Sequence, residues 1–171
     1  SIDWNPMAIA GARSGIAAIV LLIAVGRPRF TWSFPEIGGA VAYVGAVTLV
    51  TIANKLTTAA NTILLHYSAP VWVALLGAGF LGERATWRDW LTIIVMIGGI
   101  ALFFADDLTQ ASFLGTIAAI ASGFCFGCVT LFLRKQKDGR GLETVILGNI
   151  VTALISIPFM IGSSPGVRGW I

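Results

Sequence analysis

LTIIVMIGGIALFF, residues 91–104, runs for fourteen residues without a charge. It lacks the strict apolar and polar alternation of a barrel strand, and backbone groups in lipid are satisfied only in helices or closed barrels, so the stretch reads as a membrane-spanning helix. Across the whole chain, apolar stretches cover residues 6–25, 37–54, 59–81, 87–104, 113–133 and 145–161. Each lies near the length of about 20 residues that crosses a hydrocarbon core as a helix. Charged residues make up 11% of the chain and apolar ones 57%, a balance that leaves a soluble domain of this size too little polar surface to cover itself. The fold class that follows is an all-α integral membrane protein, a polytopic bundle with six transmembrane helices.

The links between spans are sided. Arg27 and Arg29 follow the first span, Arg84 and Arg88 the third, and Arg134, Lys135, Lys137 and Arg140 the fifth, whereas Asp3, Asp106 and Asp107 collect opposite them with Lys55 and Arg168. Short loops rich in Lys and Arg stay cytoplasmic, so both ends of the chain are expected on the far side, and a plasma membrane of bacterial type is the expected location. The net charge of +3 therefore reports sidedness and implies no nucleic-acid partner. Trp4, Trp32, Trp87, Trp90 and Trp170 fall at span ends, where amphipathic rings favour the headgroup zone. Trp72 alone lies inside a span. The chain starts at Ser1 and stops at Ile171, each close to a span, and is expected to be an excerpt of something longer; the first apolar run lacks the basic flank of a signal peptide.

Small residues let helices approach in lipid. Gly11 with Gly15, and Gly123 with Gly127, form two GxxxG motifs that argue for a compact bundle and leave the oligomeric state open. Pro70 and Pro158 lie in mid-span, where each removes a helical hydrogen bond and favours a kink. A static bend and a mobile gate both fit such a proline. Gly82, ahead of the charges of the 82–89 turn, suits a left-handed helix C-cap.

The segment KLTTAANTILLHYSAPVWVALLGAGFLGERATWRDWLTIIVMIGGIALFF, residues 55–104, resembles the EamA-type family of the drug/metabolite transporter superfamily. The parts that carry the resemblance are Ala59 and Ala60, the central Pro70, the turn Gly82-Glu83-Arg84, the tryptophans Trp87 and Trp90, and Gly98-Gly99. PMAIAGARSGIAAIVLL (residues 6–22) is similar to the family's second helix, with Arg13 at the expected place, and ASFLGTIAAIASGFCFGCVTLFLRK (residues 111–135) to its sixth. The resemblance implies ten helices in two inverted five-helix repeats, with a substrate site near midplane at the repeat interface. Residues 1–105 would hold helices two to five of the first repeat and residues 106–171 helices six and seven of the second, with helix one and helices eight to ten missing. It implies a secondary transporter of small metabolites or drug-like solutes, export being the commoner direction, whose partners are a small-molecule substrate and the lipid bilayer.

Polar groups inside lipid are expensive, so each is a functional candidate to be weighed against a local partner. Arg13 is placed to bind an anionic group, or to snorkel outward toward Asp3. His66, the single histidine, suits proton exchange near neutral pH, or is held neutral by a backbone carbonyl. Thr48, Thr51 and Asn54 recur at spacings of three and share a helix face, with Tyr43 displaced around the helix. Facing them, Asn61, His66, Ser68 and Trp72 would complete a polar and aromatic cavity wall, unless the threonines bond back to their own carbonyls. Glu83, Arg84, Arg88 and Asp89 cluster at one turn, as an anchor of helix ends or a state-dependent latch.

Cys125 and Cys128 form a CxxC, but inside a lipid-embedded helix with a lone histidine they cannot assemble four metal ligands, so they read as packing thiols. No cofactor is expected, and no phosphate-cradling glycine loop points to nucleotide hydrolysis. Two functions from other classes compete with transport. An intramembrane serine protease would pair His66 with Ser14, Ser68 or Ser122. A non-transporting membrane scaffold would assemble through the GxxxG faces; mid-span Pro70 and the polar strip weigh against it.

Overall fold

A computed structural model describes residues 6–82, 86–107, 112–136 and 141–162. Among them are seven helices: α1 (Pro6–Val25), α2 (Phe34–Leu56), α3 (Ala59–His66), α4 (Ala69–Phe80), α5 (Trp87–Asp107), α6 (Phe113–Lys135) and α7 (Gly141–Gly162). Five segments are long and apolar enough to cross a bilayer, with α3 and α4 counted as one: Met7–Val25, Phe34–Leu56, Ala59–Phe80, Phe113–Lys135 and Gly141–Phe159. The chain is a polytopic helical membrane protein. The 21-residue α5 occupies the remaining stretch.

The third apolar stretch is interrupted at Tyr67 and Ser68, which form a turn between two helices of one span. Tyr67 caps α3, Ser68 caps α4, and Pro70 sits in the first turn of α4. Pro70 has no N–H to offer the carbonyl of His66 four residues back. The chain closes the gap with tighter turns, Ser68 N–H to Leu65 O at 3.0 Å and Val71 N–H to Ser68 O at 2.9 Å. Pro158 has a milder effect, since α7 continues through it to Gly162. Gly82, at φ +71°, takes the left-handed conformation just past the end of α4.

The packing follows side-chain size. Buried apolar positions are mostly alanines, among them Ala8, Ala18, Ala40, Ala46, Ala53 and Ala119, whereas Ile19, Val20, Val95, Leu102 and Phe113 are exposed. Small residues inside and large apolar ones outside are the arrangement expected where lipid is the solvent and close backbone approach holds the helices. α2 lies along α6 and α7, α1 along α7, and α3 and α4 both rest on α6, while α5 packs chiefly on α4. Gly39 meets Thr144 and, a turn further on, Tyr43 meets Gly148, so α2 and α7 run in the same direction. α1, joined to α2 by a short link, runs against both, and Gly15 meets Ala153.

Phe132 of α6 stacks edge-on with Phe34 at 5.8 Å and with Phe80 at 5.0 Å, and the Lys135 ammonium lies 4.2 Å above the Phe80 ring. These contacts gather the start of α2, the end of α4 and the end of α6. Arg27, Arg29, Arg88, Arg134 and Lys135 therefore belong to one end of the bundle.

Candidate functional site

The break between α3 and α4 is seated on the second GxxxG. A Cβ added to Gly123 would stand 2.6 Å from Ser68 Oγ and 2.9 Å from the carbonyl oxygens of both Leu65 and His66; one added to Gly127 would stand 2.9 Å from Trp72 Cβ and 3.1 Å from Ala69 O. Only glycine lets these backbone oxygens, among them the His66 carbonyl that Pro70 leaves without its helical donor, come this close. Irregular backbone at membrane depth is tolerated where it is buried in protein or lines a cavity, and here one side of the break is buried on α6.

Side chains fasten the same seat. His66 Nδ1 lies 3.0 Å from Ser122 Oγ, and Ser122 Oγ donates to the Ala119 carbonyl at 2.7 Å. Nδ1 of His66 donates in the first contact in one tautomer and accepts in the other. Phe126 approaches the imidazole at 5.0 Å between centroids. One turn on, the Trp72 indole N–H donates to Ser68 Oγ at 3.3 Å, and its ring meets Phe124 edge-on at 5.3 Å.

This pairing brings together the atoms of the rival protease reading without its chemistry. Ser122 is 0% exposed and its hydroxyl lies against the Ala119 carbonyl. A nucleophile needs access to a carbonyl carbon. Ser122 lacks it.

The remaining candidates are distributed over several surfaces. Tyr43 turns toward α7: its ring covers Gly148, its hydroxyl accepts from Asn149 Nδ2 at 3.0 Å and donates to Asn149 Oδ1 at 3.3 Å. Thr51 bonds back to Val47 O at 2.7 Å, Thr48 is half-buried and Asn54 is exposed. Asn61 is buried; its backbone N–H is capped by Thr58 Oγ1, and its Nδ2 donates to Thr57 Oγ1 at 3.3 Å. Arg13 lies on the exposed face of α1. Arg88 is exposed, and beside it Asp89 Oδ2 accepts the Thr86 N–H at 2.6 Å and the Thr86 hydroxyl at 2.7 Å, capping α5. Glu83 and Arg84 lie outside the described residues. Of the two thiols, Cys125 packs against Gly45.

Buried polar groups that the sequence reading passed over form a second feature. Thr144, Asn149, Thr152 and Ser156 occupy one face of α7, each 2% exposed or less. Their spacings of five, three and four were legible as a helical face. Thr144 exchanges hydrogen bonds with Gln136, and Thr152 bonds back to Gly148 O. Ser156 Oγ and, on the facing α1, Ser14 Oγ are buried without a hydrogen-bond partner. Glu36, one residue before the predicted start of its span, is 3% exposed; its Oε2 accepts the N–H and hydroxyl of Thr31, both at 2.8 Å, and its Oε1 is buried without a partner.

A cleft of about 680 Å³ opens on the other side of the break, between α4, α5 and α6. Tyr67, Pro70 and Phe126 line its inner part, and Asp89 and Arg134 belong to its lining at the basic end. Pro70 is the one residue singled out from the sequence as cavity or gate that borders this space.

Comparison with known proteins gives one family. Neither the curated proteins nor the solved structures contain a significant match. The model of the EamA-like transporter family matches residues 1–105, more than half of the chain, and the chain therefore belongs to the EamA-like transporter family.

Proposed function

We propose that the protein is a secondary transporter of small metabolites or drug-like solutes, working by alternating access around a midplane cavity, with export as its direction. The observation that carries this reading is the interrupted third span. Discontinuous helices recur at the substrate and ion sites of secondary transporters. Here the interruption at Tyr67 and Ser68 rests on Gly123 on one side and borders the α4–α5–α6 cleft on the other.

In this reading α5 is a sixth crossing, residues 1–105 carry helices two to five of the first inverted repeat, and residues 106–171 begin the second. The family match ending at residue 105 supports that division. The basic end of the bundle faces the cytoplasm of a bacterial-type plasma membrane, which puts both ends of the chain outside. Tyr43 with Asn149 ties the two halves together, and rocking between them is the motion that opens either side. His66, Trp72, Tyr43, Thr48, Thr51, Asn54, Asn61 and Arg13 are its substrate-cavity candidates, Pro70 and Pro158 its hinges, and Glu83, Arg84 and Arg88 its cytoplasmic turn.

Flux of a panel of amino acids, nucleobases and amphipathic cations into vesicles containing the protein tests the reading. Saturable movement of one class above protein-free vesicles is expected. Absence of flux under solute gradients, proton gradients and counter-exchange alike would favour a membrane scaffold.

A further inference from the structure

The five cations at the basic end of the bundle are not equivalent. Arg134 acts on the Asp89 carboxylate, Arg88 adjoins that carboxylate in the first turn of α5, and the Lys135 ammonium is seated on the Phe80 ring. Arg27 and Arg29, in the link from α1 to α2, are exposed and have no ion-pair partner among the described residues. The carboxylate nearest them in sequence, Glu36, is buried and holds Thr31 through Oε2 instead. That hold shapes the link. Thr31 is followed by Trp32 at φ +53°, the one non-glycine among the described residues in the left-handed region, where a bulky side chain is an outlier. Strain of this kind persists only where the surroundings fix it, and it clusters where ligands are held. Its product is an indole 65% exposed, with Phe34 70% exposed two residues on, so burial within the chain does not offset it. A tryptophan at a span end favours the headgroup zone, its ring against acyl chains and its N–H toward the polar layer. Two guanidiniums, spaced by the stiff Pro28, match the oxygens of a phosphate.

We infer that the α1–α2 link is a binding site for an anionic phospholipid, with the phosphodiester at Arg27 and Arg29 and the glycerol and upper acyl chain against Trp32 and Phe34. A zwitterionic head is disfavoured, because its ammonium would meet two guanidiniums and no free carboxylate. The site is built from the link itself and does not depend on whether the protein moves solutes.

Native mass spectrometry of the purified protein, equilibrated with equal amounts of phosphatidylglycerol, phosphatidylethanolamine and phosphatidylcholine, tests it. Phosphatidylglycerol should be retained at least about ten-fold over either zwitterion, since each arginine near an anionic surface contributes about five-fold. Arg27→Gln and Arg29→Gln should each lower that preference about five-fold. Arg88→Gln, which removes the same charge from the same end of the bundle, should leave it unchanged. Glycine is at home at the φ of +53° that Trp32 adopts, so Trp32→Gly keeps the shape of the link, and retention of phosphatidylglycerol should fall. Equal retention of the three lipids by the wild type, equal losses from Arg29→Gln and Arg88→Gln, or unchanged retention in Trp32→Gly overturns the inference. Displacement of the lipid by excess inorganic phosphate overturns it in favour of a simple anion site.

Discussion

His66 Nδ1 lies 3.0 Å from Ser122 Oγ, and that hydroxyl donates to the Ala119 carbonyl at 2.7 Å. The two contacts tie the end of α3 to α6 beside the break.

Flux of a transported solute should depend on pH through His66, the single histidine of the chain. His66→Gln should flatten the profile while keeping a side chain able to reach Ser122, and His66→Ala should also lower flux at every pH. An identical profile in all three proteins removes His66 from the site.

Gly123 and Gly127 should tolerate no side chain, whereas Gly98 and Gly99 should. A Cβ at Gly123 meets two carbonyl oxygens at 2.9 Å, but nothing lies within 4 Å of a Cβ built at Gly98 or Gly99. Gly123→Ala is expected to destabilise the bundle by about 1–3 kcal/mol, the usual range for overpacking. Gly98→Ala should be neutral or gain up to about 1 kcal/mol from helix propensity. Unfolding in mixed micelles measures both, and equal effects at the two positions would contradict the seat.

Tyr43 and Asn149 should be energetically coupled. A double-mutant cycle with Tyr43→Phe and Asn149→Leu, read by the same unfolding assay, is expected to give about 0.6 kcal/mol and at most about 1.7, the range for hydrogen bonds between membrane helices. Additive effects would mean that the bond does not join α2 to α7.

The sidedness is open to labelling. Single cysteines introduced beside Arg29 and beside Lys137, in a background lacking Cys125 and Cys128, should resist an impermeant thiol reagent in whole cells, and one beside Asp107 should react. The opposite pattern inverts the bundle.

Much of the bundle was legible because lipid allows few backbone solutions, and apolar length with basic loops nearly exhausts the choice. Span 6–25 matches α1 to the residue, and Gly82 takes the left-handed turn its position demanded. The break at Tyr67 was legible only as a kink at Pro70, since a lost hydrogen bond does not tell whether the chain bends or starts a new helix. That depends on Gly123 and Gly127 of α6, distant in sequence, which leave room for the backbone of the turn. The cavity wall drawn from α2 and α3 assumed that polar faces close in sequence meet in space. Tyr43 instead faces α7, His66 and Trp72 face α6, and Thr51 satisfies itself on its own helix. Glu36 escaped notice because it stands at a span boundary, where a charge ordinarily costs nothing.

The central claim is that the interruption of the third span is the working part of a transporter, and Pro70→Ala tests it most directly. Alanine restores the donor that His66 lacks and removes the clash between the proline ring and the His66 carbonyl, so α3 and α4 can fuse into one continuous helix. The predicted result is a protein as stable as the wild type or more so, with solute flux in vesicles reduced at least about ten-fold, equivalent to about 1.4 kcal/mol of barrier. Wild-type flux from a Pro70→Ala protein whose third span is continuous would contradict the account.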